Sequence, residues 1–192
     1  MDSARDICAT IQHVLVSRGR TDVSDEFLRL YIGRHLFDLF LDLGFTQPDM
    51  DGMLADYREH YYSREHSLTR VYPGVAEALA RLGGRKSTAT TKGTAGTRSI
   101  LERFGLLQHF DHVQGTDGFP AKPEPDVILK SIEVFGVRAE DCLFVGDSAA
   151  DMEAGRRAGV KICAVRYGYG NPVEMAKWSP DYWVESLGDL VG

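Results

Sequence analysis

The tripeptide Tyr72-Pro73-Gly74 separates two stretches whose apolar residues recur at different periods, and that change limits the folds open to the chain. Before it, every apolar pattern is helical. Asp2 or Ser3 can cap a helix with Ile7, Ile11, Val14 and Leu15 on one face and Gly19 just past its end. Ser24 precedes a second helical run carrying Phe27, Leu28 and Tyr31. Residues 36–43 are strongly apolar and stop at Gly44, and a further helix is expected over 50–62. After the tripeptide, strand-like runs at 86–90, 111–114, 142–145, 161–165 and 182–184 alternate with helical ones, among them 126–135 and 150–158. Strand–helix–strand alternation predicts an α/β fold with a parallel sheet covered by helices on both faces. Such a sheet binds ligands beyond the carboxyl ends of its strands.

Three of these strand ends carry polar groups. Thr90, followed by Thr91 and Lys92, leaves the first run, and Thr94 is placed to cap the helix behind it. That offers a hydroxyl and free backbone N–H groups to an anion. Lys122 sits in Ala-Lys-Pro-Glu-Pro-Asp, stiffened by Pro123 and Pro125, with Asp126 expected as the next helix cap. The third exit is Leu-Phe-Val-Gly-Asp-Ser-Ala-Ala-Asp, which brings Asp147 and Asp151 close together. Singly, each reads as an ordinary strand-end threonine, a solvated lysine or a helix-start carboxylate. Together, each follows a different strand of one sheet. Two neighbouring carboxylates repel unless a proton or a cation lies between them. Oxygen ligands of this kind favour Mg²⁺, which keeps several waters and is shared with phosphate. The residues therefore describe a magnesium-assisted phosphate site.

Other classes fare worse. A formal charge of −6 and the absence of a basic run argue against nucleic-acid or membrane-surface binding. No stretch approaches a membrane span, and the N-terminus lacks the parts of a signal peptide. Three isolated cysteines fit a reduced, cytoplasmic setting. The histidines show no H-E-x-x-H spacing, there is no G-x-S-x-G or C-x-x-C, and Gly168-Tyr169-Gly170 reads as a turn.

Thr90 after a short strand, Lys122 in AKPEPD, and GDSAAD at 146–151 resemble the second, third and fourth motifs of the haloacid dehalogenase superfamily. RVYPGVAEAL, ILERFGL and VRYGYGN are similar to its phosphoglycolate-phosphatase-like branch. The resemblance implies a Rossmann-like core over 72–192 and an all-helical cap over 1–71 that closes over the site. It implies a Mg²⁺-dependent phosphatase acting on a small phosphorylated metabolite, because dehalogenases proper use no metal. By position, Thr90 would hydrogen-bond the transferring phosphoryl group, with Thr91 beside it, and Lys122 would balance charge. Asp147 would bind the metal. Asp151 would hold the metal's waters or Lys122, or touch the metal itself. In the cap, Arg34 of Tyr-Ile-Gly-Arg-His would pair with a substrate anion, or is simply a surface arginine at a helix boundary.

The family's first motif, a strand followed by D-x-D-G-T with the nucleophilic aspartate, has no counterpart in the sequence. Met1-Asp2-Ser3 looks like the residues just after it, so the first, central strand is apparently missing. Asp49-Met50-Asp51-Gly52-Met53 is the nearest text, but no strand precedes it, and it reads as a helix-start turn. Losing about five buried strand residues would remove roughly 5–10 kcal/mol, rivalling a domain's net stability. The expectation is therefore a start upstream of Met1, the chain as written being inactive. The alternative is a non-catalytic relative that binds phosphate or a partner and truly begins at Met1.

Overall fold

The structure, a computed structural model, describes residues 1–33 and 35–191 and divides into two units, Met1–Tyr72 and the chain from Pro73 onward. The first unit is helical: α1 (Ala4–Ser17), α2 (Asp25–Arg29), α3 (Leu36–Asp42) and α4 (Gln47–Ser63). The expected apolar faces meet in one core, where Ile11, Val14, Leu15, Leu28, Leu39, Phe40, Met50 and Met53 are buried. Ser24 caps α2 as expected, its Oγ accepting from the Phe27 amide at 3.1 Å. The helix α4 begins at Gln47, earlier than the apolar spacing predicts, because its first turn is polar. Thr46 and Asp49 form a reciprocal capping box there. Asp49, Asp51 and Gly52 consequently lie in the opening turns of α4.

The ends of this unit are tied through a buried carboxylate. Asp6 has no exposed surface, and its Oδ2 accepts from Thr69 Oγ1 at 2.6 Å. Its Oδ1 faces Arg64 Nη2 at 3.4 Å without a formed hydrogen bond. Beside it, Asp2 and Arg70 exchange two backbone hydrogen bonds. Asp6→Ala would strand the Thr69 hydroxyl and remove the partner of Arg64. We expect it to lower the unfolding free energy by about 2–4 kcal/mol in urea denaturation, with Thr69→Ser near wild type.

The second unit contains α5 (Val75–Arg81), α6 (Thr94–Arg103), α7 (Asp126–Phe135), β1 (Leu143–Gly146), α8 (Ala149–Ala158), β2 (Lys161–Val165), α9 (Pro172–Ala176) and β3 (Tyr182–Val184). The sheet is parallel with order β1-β2-β3, and Phe144 pairs with Ile162 and Ala164 with Trp183. Ile162, Cys163 and Ala164 of the central strand are fully buried, whereas β1 is an edge and its Leu143 is 42% exposed. The helices α7 and α8 supply Val127, Ile128, Met152 and Ala154 to the core beside this sheet.

Two expected strands are not formed as such. Residues 86–90 and 111–114 meet in a single parallel bridge, Ser87 with His112. Thr88 explains the short ladder. Its Oγ1 both donates to the Gln114 carbonyl at 3.0 Å and accepts from the Gln114 amide at 2.9 Å, so a hydroxyl replaces the backbone there. Among the described residues this pair and the β1-β2-β3 sheet share no backbone ladder.

Candidate active site

The end of β1 is built around Asp151. Ser148 caps α8, accepting from the Asp151 amide at 3.2 Å while donating to Asp151 Oδ2 at 2.8 Å. The same Oδ2 accepts from the Asp147 and Ser148 amides, each at 3.1 Å. The carboxylate thus folds back beneath the strand end, which requires glycine at 146, where a Cβ would lie 2.4 Å from that of Asp151. Its other oxygen accepts from Lys122 Nζ at 2.6 Å. Lys122 also donates to the Ala89 carbonyl at 2.9 Å and lies over the Phe144 ring. One ammonium thereby joins the exits of two separate backbone pairs.

Asp147 is held differently. Its Oδ2 accepts from the Tyr169 amide at 3.2 Å. Gly168 and Gly170 let that turn lie directly on it, since a Cβ at 168 would meet Asp147 Cβ at 2.2 Å and one at 170 its carbonyl oxygen at 1.9 Å. Sequence reasoning took Gly168-Tyr169-Gly170 as a plain turn; two glycines spaced by one residue after a strand were the available signal. Burial raises the Asp147 carboxyl above the ordinary carboxylate range, and the charge of Asp151 raises it further. Burial acts in the same direction on Asp151, but the charge and hydrogen bond of Lys122, with those of Ser148 and the Asp147 amide, outweigh it and hold that carboxyl below the usual range.

Thr90 is half-buried, and its Oγ1 accepts from the Lys92 amide at 3.3 Å. The Thr91 side chain is exposed beside it. Lys92, named from the sequence only as a neighbour of Thr90, supplies a second cation. Burial, then the like charge of Lys122, bring its ammonium down to about 8, against the attraction of Asp147. Lys122 thus neutralises Asp151, whereas Asp147 still feels both its burial and the charge of Asp151.

Two expected helix caps are corrected. Gly93 and Pro125 occupy the cap positions of α6 and α7, so Thr94 and Asp126 are the first helical residues and neither caps with its side chain. The Thr94 amide is not free for an anion, because it donates to the Asp117 carboxylate. Arg34 lies outside the described residues.

Among the described residues no group of three or more His, Cys, Asp or Glu side chains is arranged to hold a metal. The donors present still fit Mg²⁺, which takes one or two protein carboxylates and completes its shell with water and phosphate. Asp147 has one oxygen turned from the Tyr169 amide, whereas both oxygens of Asp151 are engaged within the protein.

A parallel α/β core with a threonine, a lysine and paired aspartates at its strand exits defines the class. Residues 1–165 match the haloacid dehalogenase-like hydrolase family, and the chain belongs to it. It is 32% identical over 203 residues to phosphoglycolate phosphatase 1 of Pseudomonas aeruginosa, covering 100% of this chain and 74% of that protein. It is 31% identical over 198 residues to the phosphoglycolate phosphatase of Aquifex aeolicus, covering 100% of this chain and 90% of that protein. A haloacid dehalogenase-like family hydrolase from Streptococcus pneumoniae shares the fold, with a TM-score of 0.90 at 20% identity over 98% of this chain and 90% of that one.

Proposed function

We propose that the protein is a Mg²⁺-dependent phosphomonoester hydrolase acting on a small phosphorylated metabolite such as phosphoglycolate. The observation that carries this reading is the single lysine, Lys122, bonded at once to Ala89 O beside Thr90 and to Asp151 beside Asp147. It gathers a hydroxyl, an ammonium and two carboxylates at one end of the fold. In phosphoryl transfer, positioning and charge neutralisation supply most of the catalysis. Thr90 donates its hydroxyl proton to a phosphoryl oxygen, with Thr91 at the rim of the same loop. Lys122 balances charge on the nucleophile and phosphate while Asp151 holds it in place. Asp147 is the metal ligand, with Asp151 beside it. Bound Mg²⁺ would supply electrostatic stabilisation of the phosphoryl oxygens. From the sequence, Arg34 is proposed to contact the substrate's anionic group. The phosphoglycolate phosphatases named among its relatives support the substrate class.

The free cysteines Cys8, Cys142 and Cys163 suit a reducing, cytoplasmic setting, and no described helix is long and apolar enough to cross a membrane. The absence of a D-x-D-G-T motif from the sequence favours one alternative, a non-catalytic phosphate- or partner-binding relative. A phosphomonoester assay of the protein from its native source, with and without Mg²⁺, separates them. Mg²⁺-dependent turnover is the expected result. Absence of turnover with and without Mg²⁺ overturns the enzyme reading.

A further inference from the structure

We infer that Gly115-Thr116-Asp117 is a positioning element for the loop that carries Thr90, a role that rests on the phosphatase reading only for the identity of the ligand. The loop 90–94 leaves a one-bridge strand pair and enters α6. Backbone groups in such an exit need partners, and three consecutive residues provide them. Thr116 Oγ1 donates to the Thr90 carbonyl at 2.9 Å, and the Thr116 amide donates to the Lys92 carbonyl at 2.9 Å. The Gly115 amide donates to Thr94 Oγ1 at 2.9 Å. Both carboxylate oxygens of Asp117 accept from the Thr94 amide, at 3.1 Å each. Gly115 is buried, and a Cβ there would stand 2.4 Å from both Lys92 O and Thr94 N, so no other residue permits this approach without moving backbone.

The clamp has two consequences for chemistry. Thr90 Oγ1 accepts its bond from the Lys92 amide inside the fixed loop, which leaves the hydroxyl proton to be donated outward. Asp117 occupies the first amide of α6 with a negative charge, so an anionic ligand is turned away from the helix end toward Thr90 and Lys122. Asp117 and Thr116 touch neither the reacting groups nor the proposed metal ligand; they act through the loop.

The test uses the full chain with Thr116→Val, Thr116→Ser and Asp117→Ala. The Lys92 amide is the reporter, since its acceptor is Thr90 Oγ1 and neither substituted side chain bonds to it. Hydrogen exchange at that amide is expected to quicken about tenfold in Thr116→Val and Asp117→Ala and to return to wild type in Thr116→Ser. The thermal midpoint should stay within a few degrees, and calorimetry with inorganic phosphate and Mg²⁺ should show binding weakened roughly five- to tenfold, again restored by serine. Unchanged exchange at Lys92 in both variants overturns the clamp. If the wild-type chain takes up no phosphate, the phosphatase reading falls, and the exchange comparison still decides the clamp.

Discussion

Lys122→Met should destabilise the fold by about 3–5 kcal/mol and abolish the proposed phosphatase turnover. The substitution keeps the length of the side chain and its passage over Phe144, so what is lost is the ammonium. Asp151 is then a carboxylate with 5% of its surface exposed and no cation against it, and the Ala89 carbonyl loses its donor. A buried charge stripped of its partner carries its desolvation cost uncompensated. The pH dependence should change with it. The folded-state carboxyl of Asp151 lies below its ordinary value, so its contribution is fully present above the unfolded value of about 3.9 and is lost as pH falls through the folded one. In Lys122→Met the lysine no longer opposes the effect of burial on Asp151, and the acid limb of the stability curve should move upward. Urea denaturation between pH 3 and 7 checks this; an unchanged acid limb would show that the pair contributes nothing to the fold.

Asp147→Asn is expected to separate activity from stability in the opposite sense. Asparagine keeps an oxygen for the Tyr169 amide and fits the same turn, yet it removes the charge that would hold Mg²⁺. Turnover should drop by about a thousandfold, the order seen when one charge-stabilising group is removed from an active site. Thermal stability without metal should rise. The folded-state carboxyl of Asp147 is raised by burial and by Asp151, so its ionised form is penalised at neutral pH, and the neutral amide escapes that penalty. A fall in both activity and thermal midpoint would mean that Asp147 serves the fold rather than the metal.

The α/β class was legible because the apolar period changes at Tyr72-Pro73-Gly74, and the positions of β2, β3 and α7 followed from continuous apolar runs and their boundaries. The run 86–90 misled for a definable reason: it reads as strand-like, but Thr88 diverts the ladder through its hydroxyl. Thr94 and Asp126 have cap chemistry, yet the caps went to Gly93 and Pro125, a matter of backbone angle that residue type alone does not express. In the site, Lys122 and the aspartates were visible as motif residues. The bond from Lys122 to Ala89 joins residues 33 apart and has no local trace. The cradle at Gly168 and Gly170 and the clamp at Gly115 were equally hidden, because a glycine announces a close approach without saying to what.

The pairing of Lys122 with Asp151 has a bearing on how far the fold leans on a bound cation. A cavity holding only acidic groups flies apart electrostatically when its cation leaves, and such proteins melt in chelator. Here Lys122 already neutralises Asp151, so that carboxylate does not depend on a bound cation for its place in the fold. In the proposed magnesium-dependent reading, scarcity of the ion would therefore stop turnover without unfolding the chain around Asp151.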